Sequence, residues 1–362
     1  MRWVENKRPG LRPEYGQVYC HPELGLSDRG HMMSDPRQRD LGEIRTDLAL
    51  EAHLHLRDNN RLSSIPGVRT EEEKLEHANV SRIHIFDDQG ERYMGKKKGH
   101  YITIEAPALR RHNPEKLEKI ARTLADELER ILPLDEESKV LVVGLGNWNA
   151  TPDALGPKVV SNLLITRHLK DFVPETARSG LRSVAAMTPG VLGLTGIETG
   201  EIIQGIVERI RPSAVIAVDA LASRSIDRIL TTIQIADTGI NPGSGVGNFR
   251  QGINRESLNI PVIALGVPTV VHAQTIAHDT LELVMQTLSQ RNSSPNILDF
   301  MSPKKKLELI DEVLSPTIGD LMVTPKEIDV LVEDMSRVIA AGINAAMHPR
   351  IRQMTSILGS LS

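Results

Sequence analysis

Two aspartates stand where they could do acid–base chemistry. Asp153 lies in Thr151-Pro152-Asp153-Ala154-Leu155-Gly156-Pro157, just after the apolar run Val140–Leu145 and its Gly144-Leu145-Gly146-Asn147 sequel. Asp219 ends a second apolar run, Ala214-Val215-Ile216-Ala217-Val218. In open α/β sheets, ligands collect outside the carboxyl ends of the strands. Two carboxylates delivered to that rim by separate strands suit hydrolysis of a peptide bond, one activating water while the other protonates or orients. Each also has a plainer reading. Asp153 at a helix start would favour the helix dipole by about 0.3–1 kcal/mol. Asp219 is harder to explain so, because a carboxylate closing a wholly apolar strand must be partnered or used.

Other polar groups are weaker signals. A third apolar run, Pro261–Gly266, leads to Pro268, Thr269 and His272 at the same rim. The stretch Pro242-Gly243-Ser244-Gly245-Val246-Gly247-Asn248 could cradle a phosphate or an oxyanion through backbone N–H groups. Its spacing fits neither the dinucleotide fingerprint nor the P-loop, so it reads as a mobile loop. His53 and His55 could contact a metal, but no third ligand is near in sequence and an exposed helix or loop is the simpler reading. Lys96-Lys97-Lys98 reads as a solvated turn, able also to attract acidic substrates. No G-x-S-x-G elbow and no H-E-x-x-H zinc helix occurs. Cys20, the sole cysteine, sits early in a stretch without periodicity, reads as an incidental thiol, and rules out an intrachain disulfide.

The elements that must position these residues alternate. Strand-like patterns recur at 140–145, 183–187, 214–219, 231–235 and 261–266, with helical patterns at 113–132, 152–169, 198–210 and 325–347. Thr151-Pro152 and Thr324-Pro325 are helix starts, with Thr as cap and Pro in the first turn. This alternation predicts a doubly wound, mostly parallel α/β sheet flanked by helices. Residues 79–106 add a β-rich portion, read as a hairpin or meander, and residues 289–304 read as an exposed loop. The expected organisation is a loosely structured leader over 1–47 and a single α/β domain over 48–362, closing in helices over 305–347. Met32 and Met33 offer alternative starts within the leader.

Composition narrows the classes. The chain has 362 residues, a formal net charge of −4 and a pI near 6.3, so nothing global calls for nucleic acid or an anionic membrane. Aromatic residues are 3% of the total, too few for a stacking platform. The first residues lack an apolar signal region, and no apolar run reaches the roughly 18 residues of a membrane span. A cytoplasmic protein is expected.

The sequence resembles the spore germination proteases of endospore-forming bacteria. The likeness is carried by Arg45-Thr46-Asp47-Leu48-Ala49-Leu50-Glu51-Ala52, Gly95-Lys96-Lys97-Lys98-Gly99, Val142–Asn147 and Thr151–Lys158. It continues in Asn162–Leu169, Gly196-Ile197-Glu198-Thr199, Asp219–Ser225, Pro242–Asn248 and Leu321–Glu327, and spans about 44–348. The resemblance implies an endopeptidase made as a zymogen that degrades small acid-soluble spore proteins in the spore core during germination, and a homotetramer. It implies Asp153 and Asp219 as the catalytic pair, the same two residues reached above from the strand ends. Family substrates are cut after an acidic and before an apolar residue, with a further Glu downstream. Thr46-Asp47-Leu48-Ala49-Leu50-Glu51 has that form, so self-processing is expected between Asp47 and Leu48.

The Gly-x-Gly-Asn loop and scaffold also resemble hydrogenase maturation endopeptidases, of phosphorylase/hydrolase-like fold, whose equivalent acidic residues bind a metal. No cofactor is required by the paired-aspartate reading. A divalent metal would fall to Asp153, Asp219 and His272, although the germination-protease pattern implies an acidic residue at position 272. Arg224, Arg167 and His168 are candidates for holding acidic substrate side chains. A phosphorylase-like transferase using the 242–248 loop and a non-catalytic binding protein are the competing classes.

Overall fold

The computed structural model describes residues 46–60, 64–111, 113–172, 174, 179–241, 252–291 and 321–361, all within one compact unit, Leu41–Ser362. Cys20, most of the leader, the 242–248 loop, 292–304 and the expected helix from 305 to 320 lie outside the described residues.

Among the described residues, a nine-stranded sheet organises the unit. In chain order the strands are β1 (Val68–Lys74), β2 (Asn79–Ile85), β3 (Gly99–Glu105), β4 (Lys139–Gly144), β5 (Ser183–Met187), β6 (Ala214–Ser223), β7 (Thr232–Ala236), β8 (Val262–His272) and β9 (Met322–Val323). Their spatial order is β1-β2-β3-β7-β8-β6-β4-β5, with β9 paired to the end of β8. β8, β6, β4 and β5 run parallel. β4, β6 and β8 are built on apolar runs and are buried along nearly their whole length, as strands covered by helices on both faces must be, while β5 at the edge is half-buried. β1, β2, β3 and β7 are antiparallel neighbours, and β7 is antiparallel to β8 as well. The doubly wound parallel sheet of the sequence reading is therefore one half of a mixed sheet. In the other half β1, β2 and β3 follow one another in the chain, and β7, from far later in the sequence, joins them to β8.

The main helices are α1 (Ala49–Asn60), α2 (Asp88–Met94), α3 (Pro114–Ile131), α4 (Leu155–Ser161), α5 (Thr199–Ile210), α6 (Ala273–Arg291) and α7 (Ile328–Met347). α3, α4 and α7 pack on one face through Ile120, Leu124, Leu128, Leu155, Val159, Val332, Met335 and Ile339. On the other face, α1 and Met94 of α2 cover the antiparallel half, while Ile203 and Val207 of α5 cover β4 and β6. Among the described residues, no helix is long and apolar enough to cross a membrane.

Several elements differ from the sequence reading. The helix expected over 152–169 divides into a 3₁₀ turn at Thr151–Asp153, α4, and a second 3₁₀ turn at Arg167–Asp171. Side chains of neighbouring elements draw the backbone out of the helix. Leu164 N–H donates to Asn344 Oδ1 of α7, and Thr166 Oγ1 both accepts from Val184 N–H and donates to Arg182 O beside β5. β1 has the sequence Val-Arg-Thr-Glu-Glu-Glu-Lys and no alternation to announce it; it is a charged edge strand, of the kind that blocks edge-to-edge association. Gly90 lies within α2, between β2 and β3, where a turn was expected. α6 takes in 289–291 of the expected loop. β6 and β8 run past their apolar cores to Ser223 and His272, which carries polar residues to the rim.

Candidate active site

Asp219 is 8% exposed, set in β6 where its register partner on β8 is Gly266. Its Oδ1 accepts from the N–H of Ala220 at 2.9 Å. Burial raises its pKa well above the ordinary carboxylate range, and the nearby charges of Asp153 and Asp47 push the same way, against the single Ala220 hydrogen bond. Such a group holds its proton where a solvated aspartate would lose it.

Asp153 reaches this place through a folded loop after β4. Leu145 N–H donates to Val218 O at 2.8 Å, and Asn147 N–H donates to Asp153 O at 3.1 Å. Gly146 turns the chain between them at φ +110°, and a Cβ there would stand 2.0 Å from Asp153 O. Only glycine meets both demands. The loop thereby lays the 3₁₀ turn carrying Asp153 over the ends of β4 and β6, within electrostatic reach of Asp219.

A third acidic residue belongs to the site, and it comes from the Thr46–Glu51 segment. Asp47 is held on β6 by one backbone and one side-chain bond: its N–H donates to Ala222 O at 3.2 Å, and its Oδ2 accepts from Ala222 N–H at 2.9 Å. Its carbonyl oxygen accepts from Lys96 Nζ at 3.1 Å and Gln234 Nε2 at 3.1 Å. Leu48 and Ala49 follow, both fully buried. Burial raises the Asp47 carboxyl pKa, with Ala222 N–H, Lys96 and His272 opposing. A cavity of about 200 Å³ adjoins the segment, lined by Asp47, Lys96, Leu221, Gln234 and Gly266 among others.

The downstream Glu51 has its own receptor. It is 4% exposed, and its carboxylate accepts from the backbone N–H of Arg224 at 2.8 Å and of Ser225 at 3.0 Å. Arg228 Nη1 adds a bond at 3.1 Å while its Nε holds Glu105 at 3.0 Å. Thr46 Oγ1 also donates to Glu51. Charge-assisted bonds of this kind are roughly twice as strong as neutral ones.

Of the residues expected from sequence, Asp153, Asp219, Asp47 and Leu48 meet at this rim, with His272, 7% exposed, close enough to act on Asp47. Arg224 lies alongside through its backbone, while its side chain meets His55 at 3.1 Å and Asp279 at 3.7 Å. Arg167 and His168 are exposed in the turn before β5, at the amino end of the parallel strands, the opposite rim. His53 is 8% exposed rather than solvated, because α1 turns it inward to Thr70 Oγ1 at 3.1 Å. In the lysine run, Lys97 and Lys98 pair with Glu256 and Asp88 on the surface, and Lys96 turns in to Asp47. Among the described residues, no three His, Cys, Asp or Glu side chains converge as a metal ligand set, so Asp153, Asp219 and His272 do not form one here. Gln234 and Arg228 are site groups that the sequence reading did not single out; Glu51 entered it only as the further Glu of the motif and Lys96 only as part of the lysine run. Gln234 gave no signal, since in Thr231-Thr232-Ile233-Gln234-Ile235 it falls on a polar position of an alternating strand.

The family profile described as Germination protease matches residues 45–297 and 290–358. A germination protease of Caldanaerobacter subterraneus subsp. tengcongensis is 51% identical over 321 residues, 87% of this chain and 98% of its own. One from Clostridium acetobutylicum is 45% identical over 318 residues, 86% and 97% of the two chains. One from Bacillus cereus (strain AH187) is 42% identical over 360 residues, 89% and 98%. Among solved structures, the [NiFe] hydrogenase maturation protease HycI from Thermococcus kodakarensis KOD1 aligns with 54% of this chain and 97% of its own, at 18% identity. Its TM-score of 0.26 is too low to carry an argument.

Proposed function

The chain belongs to the germination protease family and is an endopeptidase of spore germination, and we propose that Asp153 and Asp219 are its catalytic pair, acting first on the chain's own Asp47–Leu48 bond. The observation that carries this reading is the Thr46–Glu51 segment, which enters the site as a substrate would. Its acidic residue is bonded to Ala222, three residues beyond Asp219 on β6, through both its backbone N–H and its carboxylate, immediately before α1 begins at Ala49.

The step needs one water. Asp153 takes its proton as the oxygen attacks the carbonyl carbon of Asp47, giving a tetrahedral intermediate. Asp219, held protonated by burial and by its acidic neighbours, gives a proton to the nitrogen of Leu48 as the C–N bond breaks. The new carboxylic acid at Asp47 passes its proton to the Leu48 amine, leaving carboxylate and ammonium, and the proton held by Asp153 returns to Asp219, which resets the pair. One protonated and one ionised carboxyl, kept apart by their surroundings, is the expected division of roles. No part of this step calls on a metal.

The same receptor defines the substrates. An acidic side chain would take the place of Asp47 on Ala222, an apolar one that of buried Leu48, and a Glu that of Glu51 between Arg228 and the Arg224 and Ser225 amides. Small acid-soluble spore proteins carrying such a motif are the proposed substrates, degraded in the spore core by a homotetramer once the segment before Leu48 has been released. Until then the chain's own segment fills the site, which is how a zymogen would be kept inactive.

Purified wild-type and Asp219→Asn protein, incubated with a small acid-soluble spore protein and read by mass spectrometry, test this. Fragments ending in an acidic residue, produced by wild type and missing with the variant, are expected. No cleavage by the wild type, before or after loss of residues 1–47, would overturn it.

A further inference from the structure

We infer that Lys96 and Gln234 form the oxyanion site of this protease, binding the carbonyl oxygen of the residue whose peptide bond is cut. The inference rests on the proposed cleavage between Asp47 and Leu48, since the oxygen they hold is that of Asp47.

Both donors meet this oxygen at 3.1 Å, one an ammonium and one an amide N–H. A peptide carbonyl oxygen has two lone pairs, and here both are met, one of them by a charged donor. A charged donor gains most when the oxygen becomes an alkoxide. The distances lie at the long end of the range for such donors, leaving room for the bonds to shorten as charge develops.

Each donor is fixed by its surroundings. The amide of Gln234 is oriented by its other end, because Ala49 N–H donates to Gln234 Oε1 at 2.7 Å, which turns Nε2 to Asp47 O. Gln234 is itself 8% exposed, in β7 between β3 and β8. Lys96 follows the end of α2, and its ammonium also reaches Thr46 O at 3.4 Å. Burial pushes the Lys96 ammonium below its ordinary range, while the charges of Asp47 and Glu51 pull against that shift. A poorly solvated cation gains more from a forming alkoxide than a solvated one does.

The placement relative to the acids is also right for catalysis. Gln234 and Asp219 are both register partners of Gly266, so all three side-chain positions share one face of the sheet. The scissile carbonyl is thus gripped from the β7 side and the catalytic carboxyls approach from the β6 side. In the step above, the carbonyl π electrons move to this oxygen as water adds and return when the C–N bond breaks. Lys96 and Gln234 stabilise that charge without exchanging protons.

The test uses the full-length chain and its own cleavage, followed by intact mass, in wild type, Lys96→Met and Gln234→Leu, with Lys96→Arg as the charge-keeping control. Hydrogen exchange of residues 46–51 reports in parallel whether the segment stays docked, which the Ala222 and Glu51 bonds should ensure. Losing either donor should slow cleavage about 10²–10³-fold, with the segment still protected, and Lys96→Arg should recover part of the rate. Cleavage within about threefold of wild type in both variants would overturn the oxyanion role while leaving the Asp47–Leu48 reading standing. So would a slowed rate accompanied by loss of protection, since the two residues would then merely hold the segment. A wild-type chain never cut between Asp47 and Leu48 would remove both the inference and the reading beneath it.

Discussion

Asp219 and Gln234 occupy one cross-strand row of the sheet with Gly266 between them, so a carboxyl and an amide face each other across a residue with no side chain. Two strand spacings separate their backbones by about 10 Å, a gap into which both side chains can reach. The recess beside this row is lined by the small residues Ala236, Ala264 and Gly266 and by Leu221. The Thr46–Glu51 segment lies against it.

Filling the gap should therefore disable the enzyme. A Cβ on Gly266 would stand 2.4 Å from Leu221 Cδ1 and 2.6 Å from its Cγ. Gly266→Ala should cost about 1–3 kcal/mol by overpacking and should slow self-processing by tenfold or more as Leu221 is pushed toward Asp47. Chemical denaturation and intact mass on the same preparation measure both. A stable, fully active variant would show that the gap is not used.

Asp219→Asn should abolish cleavage and, at neutral pH, raise the melting temperature by a few degrees. Because the folded-state pKa of Asp219 is raised above its unfolded value, the folded form binds more protons in that window, and stability falls as pH rises through it. An amide carries no such penalty. The same shift predicts that wild-type cleavage declines as pH rises past the Asp219 pKa, where the proton for Leu48 is lost. Differential scanning calorimetry and a pH–rate profile are the measurements. An Asn variant no more stable than wild type at pH 7 would contradict the assignment.

Glu51 should matter more for binding than for chemistry. Glu51→Gln keeps the shape but removes the charge that Arg228 and two backbone amides hold. Self-processing should slow by about tenfold, the worth of roughly 1.4 kcal/mol. A spore-protein peptide with Gln at the matching position should show a raised KM with kcat little changed. Equal KM for the Glu and Gln peptides would remove the downstream pocket from the account.

His348 gives the fold an acid limit separate from the site. It is fully buried, its Nε2 lies 3.2 Å from Leu164 O, and burial lowers its pKa to about 4. A folded-state pKa below the unfolded value near 6.5 means that stability is complete above that value and is lost as pH falls toward 4. His348→Asn should flatten the melting temperature over this range, at some cost in packing at pH 7. A wild-type melting temperature constant from pH 7 to pH 4.5 would contradict this.

The parallel half of the sheet was legible because a strand buried on both faces has to be apolar throughout, as at 140–145, 214–219 and 261–266. Asp219 stood out against that background, and Asp153 followed from the helix start beside it. The antiparallel edge was not legible, since β1 meets solvent and carries charges where alternation would be sought. Lys96 sits in a run whose other two lysines behave as solvated ones, and only the fold turns it inward. Arg167 and His168 illustrate the converse: charged residues in a helical-looking stretch, carried to the far rim when α4 stops at Ser161. Pairings between residues some 175 positions apart, such as Asp47 with Ala222, have no local signal.

The most direct measurement is the intact mass of the full-length chain during incubation, for wild type beside Asp153→Asn and Asp219→Asn. Wild type should lose residues 1–47 and leave a chain beginning at Leu48, and both variants should keep their full mass. A wild-type cut elsewhere, or either variant processed at the wild-type rate, would contradict the proposal that these two aspartates cleave the bond laid beside them.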